Sequence, residues 1–66
     1  MFRIMQIPAN EGQTYEWGGA IRRDWFRDET GEVREFSTVE QANSEAMDLE
    51  DQNKGFYRAF EVEFAA

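Results

Sequence analysis

The chain has 66 residues, a formal net charge of −7, and neither cysteine nor histidine. A disulfide framework is therefore impossible, and a structural zinc site lacks its two preferred ligands. This length predicts a single domain, residues 1–66, whose folding buries only about 60 % of the surface that the unfolded chain exposes. Dense aromatic packing or self-association must supply the remaining stability, and six Phe, two Trp and two Tyr are available for it.

The N-terminal segment Met1–Pro8 has neither the basic start nor the long apolar stretch of a secretory signal. No segment approaches the ~20 apolar residues that a membrane helix needs. The absence of cysteine fits a reducing compartment. We therefore expect a cytoplasmic protein without a membrane partner.

Three strands are predicted before the helix, at Phe2–Ile7, Tyr15–Arg27 and Glu32–Phe36. The first is apolar on both faces, which favours a central place in the sheet. The second alternates through Tyr15, Trp17, Ile21 and Trp25, and Gly18-Gly19 within it indicates a bulge or a close backbone approach. Pro8–Gln13 is predicted as a loop, and Asp28–Gly31 as a hairpin turn with Gly31 in the left-handed conformation.

The helix has the clearest pattern in the chain. Thr38 is its predicted N-cap, and Gln41 completes a capping box of the Thr-x-x-Gln type. The segment Asn53-Lys54-Gly55 predicts a glycine C-cap. Between them, one apolar stripe recurs at helical spacing and is expected to be buried: Val39, Ala42, Ala46 and Leu49.

The last strand is predicted at Phe56–Phe64. Its core side should carry Phe56, Phe60, Val62 and Phe64, and its other side Tyr57, Ala59, Glu61 and Glu63. The element order β-β-β-α-β predicts a small α+β domain, with a mostly antiparallel sheet and one amphipathic helix on one face. One helix cannot cover both faces, so the second face must be polar, covered by a partner, or packed against another copy.

The composition also argues against catalysis. Without His and Cys, the usual general base and thiol nucleophile are missing. Gly18-Gly19 lacks the lysine and helix start of a phosphate-binding loop. Asp51–Gly55 resembles the start of a calcium loop, but its glycine comes one place early and no acid stands at the twelfth position. We predict a binding protein with no catalytic residues, no cofactor and no metal.

The acidity is concentrated in the middle of the chain, where residues 28–53 hold nine acidic residues against Arg34. At ~100° per residue, the helix side opposite the apolar stripe carries acids and an embedded methionine. The predicted partner-binding residues are Glu40, Met47, Asp48 and Asp51, with Glu45 and Glu50 on the flanks. Such a face attracts basic partners and repels polyanions and anionic membranes. Met47 has a packing reason only if a partner docks there.

A second candidate surface combines aromatic and arginine side chains on the strands: Trp17, Trp25, Tyr57 and Arg58. An uncovered sheet face of this kind could form a homodimer. Aromatic residues among arginines could also stack single-stranded bases. The net charge of −7 makes direct nucleic-acid binding the less favoured of the two.

From Glu32 to Phe64 the chain reads Glu-Val-Arg-Glu-Phe-Ser-Thr-Val-Glu-Gln-Ala, an acidic helix, then Gly-Phe-Tyr-Arg-Ala-Phe-Glu-Val-Glu-Phe. This hairpin–helix–strand order resembles small acidic proteins of phages and mobile elements, including anti-CRISPR proteins, anti-restriction DNA mimics and inhibitors of host RNA polymerase. The resemblance covers about half the chain. It implies a stoichiometric inhibitor in the cytoplasm of an infected bacterium. The implied partner is a host protein with a basic nucleic-acid-binding surface.

Overall fold

The computed structural model describes residues 1–10, 12 and 14–65. Its elements are β1 (Phe2–Pro8), β2 (Asp24–Trp25), α1 (Val39–Gln52) and β3 (Tyr57–Phe64). The strands form one antiparallel sheet in the order β2-β1-β3, and α1 packs on one face of it. The predicted α+β class is confirmed, and so is the central position of the first strand.

The predicted strand Tyr15–Arg27 is wrong over most of its length, since only β2 pairs with β1. The chain instead reverses tightly: the Gly18 N–H donates to the Tyr15 carbonyl at 2.9 Å, and the Tyr15 N–H to the Gly19 carbonyl at 2.9 Å. Gly18 has a φ of 94°, which glycine adopts without steric cost. The glycine pair therefore makes a turn rather than a bulge, and one continuous strand is impossible here.

The predicted hairpin turn is confirmed. Gly31 has a φ of 88° and donates its N–H to the Asp28 carbonyl at 3.0 Å. The Asp28 carboxylate accepts the backbone N–H of Thr30 at 2.9 Å and that of Glu32 at 3.1 Å. The predicted strand after the turn, Glu32–Phe36, is reduced to isolated bridges, Arg27↔Val33 and Phe2↔Phe36. The predicted loop begins later than expected, because Pro8 is the last residue of β1, and its Glu11 and Gln13 lie outside the described residues.

Helix α1 begins where the capping pattern predicts. The Thr38 hydroxyl accepts the Gln41 N–H at 3.2 Å, while the Gln41 side chain accepts from the Ser37 hydroxyl at 3.0 Å. At the other end the C-cap is Asn53, whose backbone N–H and side-chain amide both donate to the Leu49 carbonyl, at 3.0 and 2.9 Å. Gly55, with a φ of 90°, follows two residues later. The predicted glycine cap is thus replaced by an asparagine cap.

The main core lies between α1 and the sheet. Its buried side chains are Ile4, Phe36, Ala42, Ala46, Leu49 and Phe60. Three of the four stripe residues are therefore buried as predicted. Val39 is 38 % exposed and Phe64 is 70 % exposed, contrary to prediction. Each is the terminal residue of its element, beyond the layer where helix and sheet overlap.

A bulge in β3 changes the alternation of that strand. The β1–β3 register is regular up to Ile7↔Ala59, but Pro8 then pairs with Tyr57, so Arg58 is an extra residue. Because Pro8 has no backbone N–H to donate, the irregular pairing opposite it sacrifices no hydrogen bond from that residue.

The bulge places Tyr57 on the helix side of the sheet. Its ring packs against the core cluster, with its centroid 5.2 Å from that of Phe60. Phe56 precedes the strand and is half-buried, 5.0 Å from the ring of Tyr15. The predicted sides of Phe56 and Tyr57 are therefore both wrong, because strict alternation was assumed across a bulged position.

The face turned away from α1, called the outer face below, is neither bare nor uniformly apolar. Ile7 is 4 % exposed, and Ile21 from the preceding connector is 3 % exposed beside it. Further along, the Arg3 guanidinium lies 5.8 Å from the Trp25 ring centroid and 3.7 Å from the Glu35 carboxylate. Other parts of the chain therefore cover much of the outer face, whereas α1 covers only the opposite face.

Candidate partner-binding surfaces

The acidic face is the solvent side of α1 and comprises Glu40, Met47, Asp48 and Asp51, with Glu50 on its flank. All five are exposed, Met47 at 71 %. The helix Val39–Gln52 contains no basic residue. The predicted helical phase is therefore confirmed, and an apolar side chain stands among four carboxylates.

Glu45 is predicted on the flank of the acidic face, and the structure places it there. It is half-buried and lines a groove with Arg34 and Ser37. Three residues along a helix turn it by ~300°, so Glu45 lies only ~60° from the buried Ala42. It therefore borders the acidic face on the side nearest the sheet.

The charges on α1 are not arranged for helix stability. Glu40 in the first turn is favourable beside the partial positive charge of the helix N-terminus. Glu50 and Asp51 stand in the last turn, where no basic residue offsets the partial negative charge. Each acid at that end costs roughly 0.3–1 kcal/mol at low salt. The Lys54 ammonium lies 3.3 Å from the Asp51 carboxylate, but both are about 80 % exposed, so this pair contributes little.

The residues of the second predicted surface lie in different parts of the molecule. Trp17 is 79 % exposed and stacks on Tyr15 at 5.3 Å within the tight reversal. Trp25 is half-buried on the outer face, and Tyr57 lies on the opposite side of the sheet. Arg58 lines a groove near Pro8. The structure therefore provides no continuous face of these residues for a homodimer or for base stacking.

The pKa values of two side chains, Tyr57 and Asp24, are shifted from their ordinary values. Burial raises the pKa of Tyr57, and a hydrogen bond with Tyr15 adds to the effect. The pKa of Asp24 is lowered, because its carboxylate accepts the Trp25 N–H at 2.7 Å and the Arg27 side chain at 3.3 Å. Both shifts favour the usual charge state at neutral pH, a neutral Tyr57 and an ionised Asp24.

The arginine groove is a feature that the sequence reasoning missed. Arg22, Arg23 and Arg58 line a surface cavity of about 470 Å³, next to the buried Ile7 and Ile21. The sequence offers one signal for it, the adjacent arginines Arg22-Arg23 after Ile21. Their meeting with Arg58 depends on the bulge of β3, which no sequence pattern indicates.

No described helix is long and apolar enough to cross a membrane. Within residues 1–10, 12 and 14–65, no three acidic side chains come together as a group that could hold a metal ion. In comparisons with known proteins, no family model, no curated protein and no solved structure matches the chain.

Proposed function

We propose that this chain is a non-catalytic inhibitor of the phage or mobile-element type, related in strategy to anti-CRISPR and anti-restriction proteins. It would act in the cytoplasm of an infected bacterium by covering the basic nucleic-acid-binding surface of a host protein. The observation that carries the proposal is the acidic face, with four exposed carboxylates including Glu50 on its flank, no base between residues 39 and 52, and Met47 exposed at its centre.

The mean density of the charges suits a surface that normally grips a nucleic acid. From Glu40 to Asp51 the helix rises ~16 Å and carries five acids, including Glu45, which is a mean of one acid per ~3–4 Å of axis with uneven steps between them. One DNA strand carries a phosphate every ~3.4 Å of axis. A basic surface that binds phosphates would therefore meet a comparable mean density of negative charge on this helix.

The cost of the arrangement to the helix supports a binding role. The acids of the last turn oppose the helix dipole, and Met47 buries little of its surface in the isolated domain. Neither feature improves folding. Both are accounted for if the partner supplies the missing cations and an apolar recess.

The residues of the acidic face and its flanks would have different roles in binding the partner. Glu40, Asp48 and Asp51 are the expected charge contacts, and Met47 the apolar anchor whose loss should raise the dissociation rate. Glu45 and Glu50, at the edges, should mainly change the association rate and its salt dependence. Asp51 would exchange its exposed partner Lys54 for a cation of the bound protein.

The test is a capture experiment with a matched control. The tagged chain is incubated with the heparin-retained fraction of a bacterial lysate, which is enriched in nucleic-acid-binding proteins. The double variant Glu40→Lys/Asp48→Lys is compared with Glu29→Lys/Glu32→Lys, which changes the net charge equally at exposed hairpin positions. The proposal expects a captured protein that the helix variant loses, the hairpin variant keeps, and added duplex DNA displaces.

Capture that survives the helix variant, or that duplex DNA does not displace, would contradict the proposal. Circular dichroism of both variants excludes unfolding as the cause of any loss. Both positions of the helix variant are exposed, and lysine is a better helix former than the aspartate it replaces at position 48, so the fold should survive.

A further inference from the structure

We propose that the arginine groove is a binding site for a phosphorylated small molecule with an apolar or planar body, of which a nucleoside diphosphate is the type. The groove is formed where the bulge of β3 meets the connector before β2. Three of the seven basic residues of this acidic chain, Arg22, Arg23 and Arg58, line it together.

None of the three guanidinium groups forms an ion pair with a described carboxylate, although Arg22 lies near enough to Asp24 to help lower its pKa. The ion pairs of the described residues involve other bases: Arg3–Glu35, Arg27–Asp24 and Lys54–Asp51. Asp24 is already occupied, since it accepts from the Trp25 N–H and from Arg27. Cations gathered round one cavity repel one another, and a bound anion relieves that repulsion. In a chain with twice as many acids as bases, a groove lined by three arginines favours an anionic ligand.

Arginine suits phosphate better than lysine does. The planar guanidinium donates two parallel hydrogen bonds to the oxygens of one phosphate, and each such charge-assisted bond is short and strong. Three arginines supply a charge of about +3, which matches the charge of a nucleoside diphosphate at neutral pH. Six of the seven bases in the chain are arginine.

The apolar side of the groove defines the rest of the ligand. The accessible apolar part of the lining comes from Pro8 and Ala9, because Ile7 and Ile21, which also line the groove, are almost fully buried. The volume of about 470 Å³ lies in the range typical of small-molecule sites. A ribose and base can rest on this lining while the arginines hold the phosphates.

The groove is distinct from the acidic face. Ile7 belongs to the outer face of the sheet, whereas α1 packs on the opposite face against Ile4 and Phe60. Ligand binding in the groove and protein binding by the helix can therefore be measured separately. Failure of one leaves the other intact.

Isothermal titration calorimetry with ADP and with inorganic pyrophosphate, at ~20 mM and ~150 mM NaCl, tests the proposal. Binding of ADP should weaken with salt, and pyrophosphate should bind more weakly because it lacks a body to cover the apolar lining. Arg23→Ala and Arg58→Ala should each weaken ADP binding about tenfold, the loss expected for a charge-assisted hydrogen bond. Arg58→Lys should recover only part of the loss, since it keeps the charge but not the planar geometry.

Arg34→Ala is the matched control, because it removes one exposed arginine on the other side of the fold, beside the ring of Phe36. It should change the ADP affinity by less than twofold. Three results would overturn the proposal: no ADP binding at low salt, equal affinity for pyrophosphate and ADP, or equal weakening by Arg34→Ala and the groove variants. Circular dichroism confirms that each variant is folded.

Discussion

Leu49→Ala should remove a large part of the stability of this domain. Leu49 is 7 % exposed and lies in the core cluster between α1 and the sheet. The substitution deletes three carbons, worth ~0.8 kcal/mol each in transfer free energy, and leaves a cavity that the small core cannot close completely. We expect a loss of about 3 kcal/mol in the free energy of unfolding. A domain of this length has roughly 3–10 kcal/mol in total, so the midpoint of thermal unfolding should fall by more than ~10 °C.

The neighbouring Asp48→Ala is the control on the same helix. Asp48 is exposed, and alanine is a better helix former than aspartate. Its free energy of unfolding should change by less than ~0.5 kcal/mol, and the change should be towards greater stability. Urea unfolding followed by circular dichroism measures both variants. A loss under ~1 kcal/mol for Leu49→Ala, or a larger loss for Asp48→Ala, would refute the helical phase on which the acidic face depends.

Three further predictions concern local features. Gly19→Ala places a Cβ against the far edge of the Trp17 ring, so the ring must shift and tryptophan fluorescence should change. Because Trp17 is 79 % exposed, the free energy of unfolding should fall by less than ~1 kcal/mol. Thr38→Ala should cost about 1 kcal/mol in urea unfolding, since the Gln41 N–H loses its cap, and Thr38→Ser should restore most of it. Asp28→Asn should reduce the loss of stability that acid causes. Hydrogen bonds lower the pKa of the Asp28 carboxyl in the folded state. The ionised carboxylate therefore stabilises the fold above the pKa of the unfolded chain, and this stabilisation disappears as the pH falls through the pKa of the folded state. A loss of stability in acid as steep as that of the unsubstituted protein would contradict this last expectation.

The parts of the fold that the sequence predicts are those determined by local contacts. The helix is one, because Thr38 caps it and Ala42, Ala46 and Leu49 recur at its period. The hairpin turn is another, because Asp28 and Gly31 satisfy its geometry within four residues. Neither element needs knowledge of the rest of the chain.

The failures have two causes: a local turn that imitates strand alternation, and contacts between residues distant in the sequence. Tyr15 and Trp17 alternate like strand residues, yet their ring stacking is satisfied within a tight reversal. Whether Ile21 covers the outer face depends on how the connector returns across Ile7, which no local pattern specifies. The acidic face follows from helical phase alone and was predictable. The arginine groove brings together residues 22, 23 and 58, and periodicity cannot indicate such a meeting.

The bulge at Arg58 has a consequence for how this strand can change its length. Tyr57 already occupies the place opposite Pro8 that a regular ladder would give to residue 58. Deleting Arg58 would therefore make the β1–β3 pairing regular and leave every other side chain on its present face of the sheet. A one-residue deletion elsewhere in a strand moves the side chains on one side of the deletion to the opposite face. The strand can gain or lose this residue without disturbing the core beneath the helix. Insertion of a single codon can thus add an arginine at the edge of the groove, and deletion of that codon can remove it.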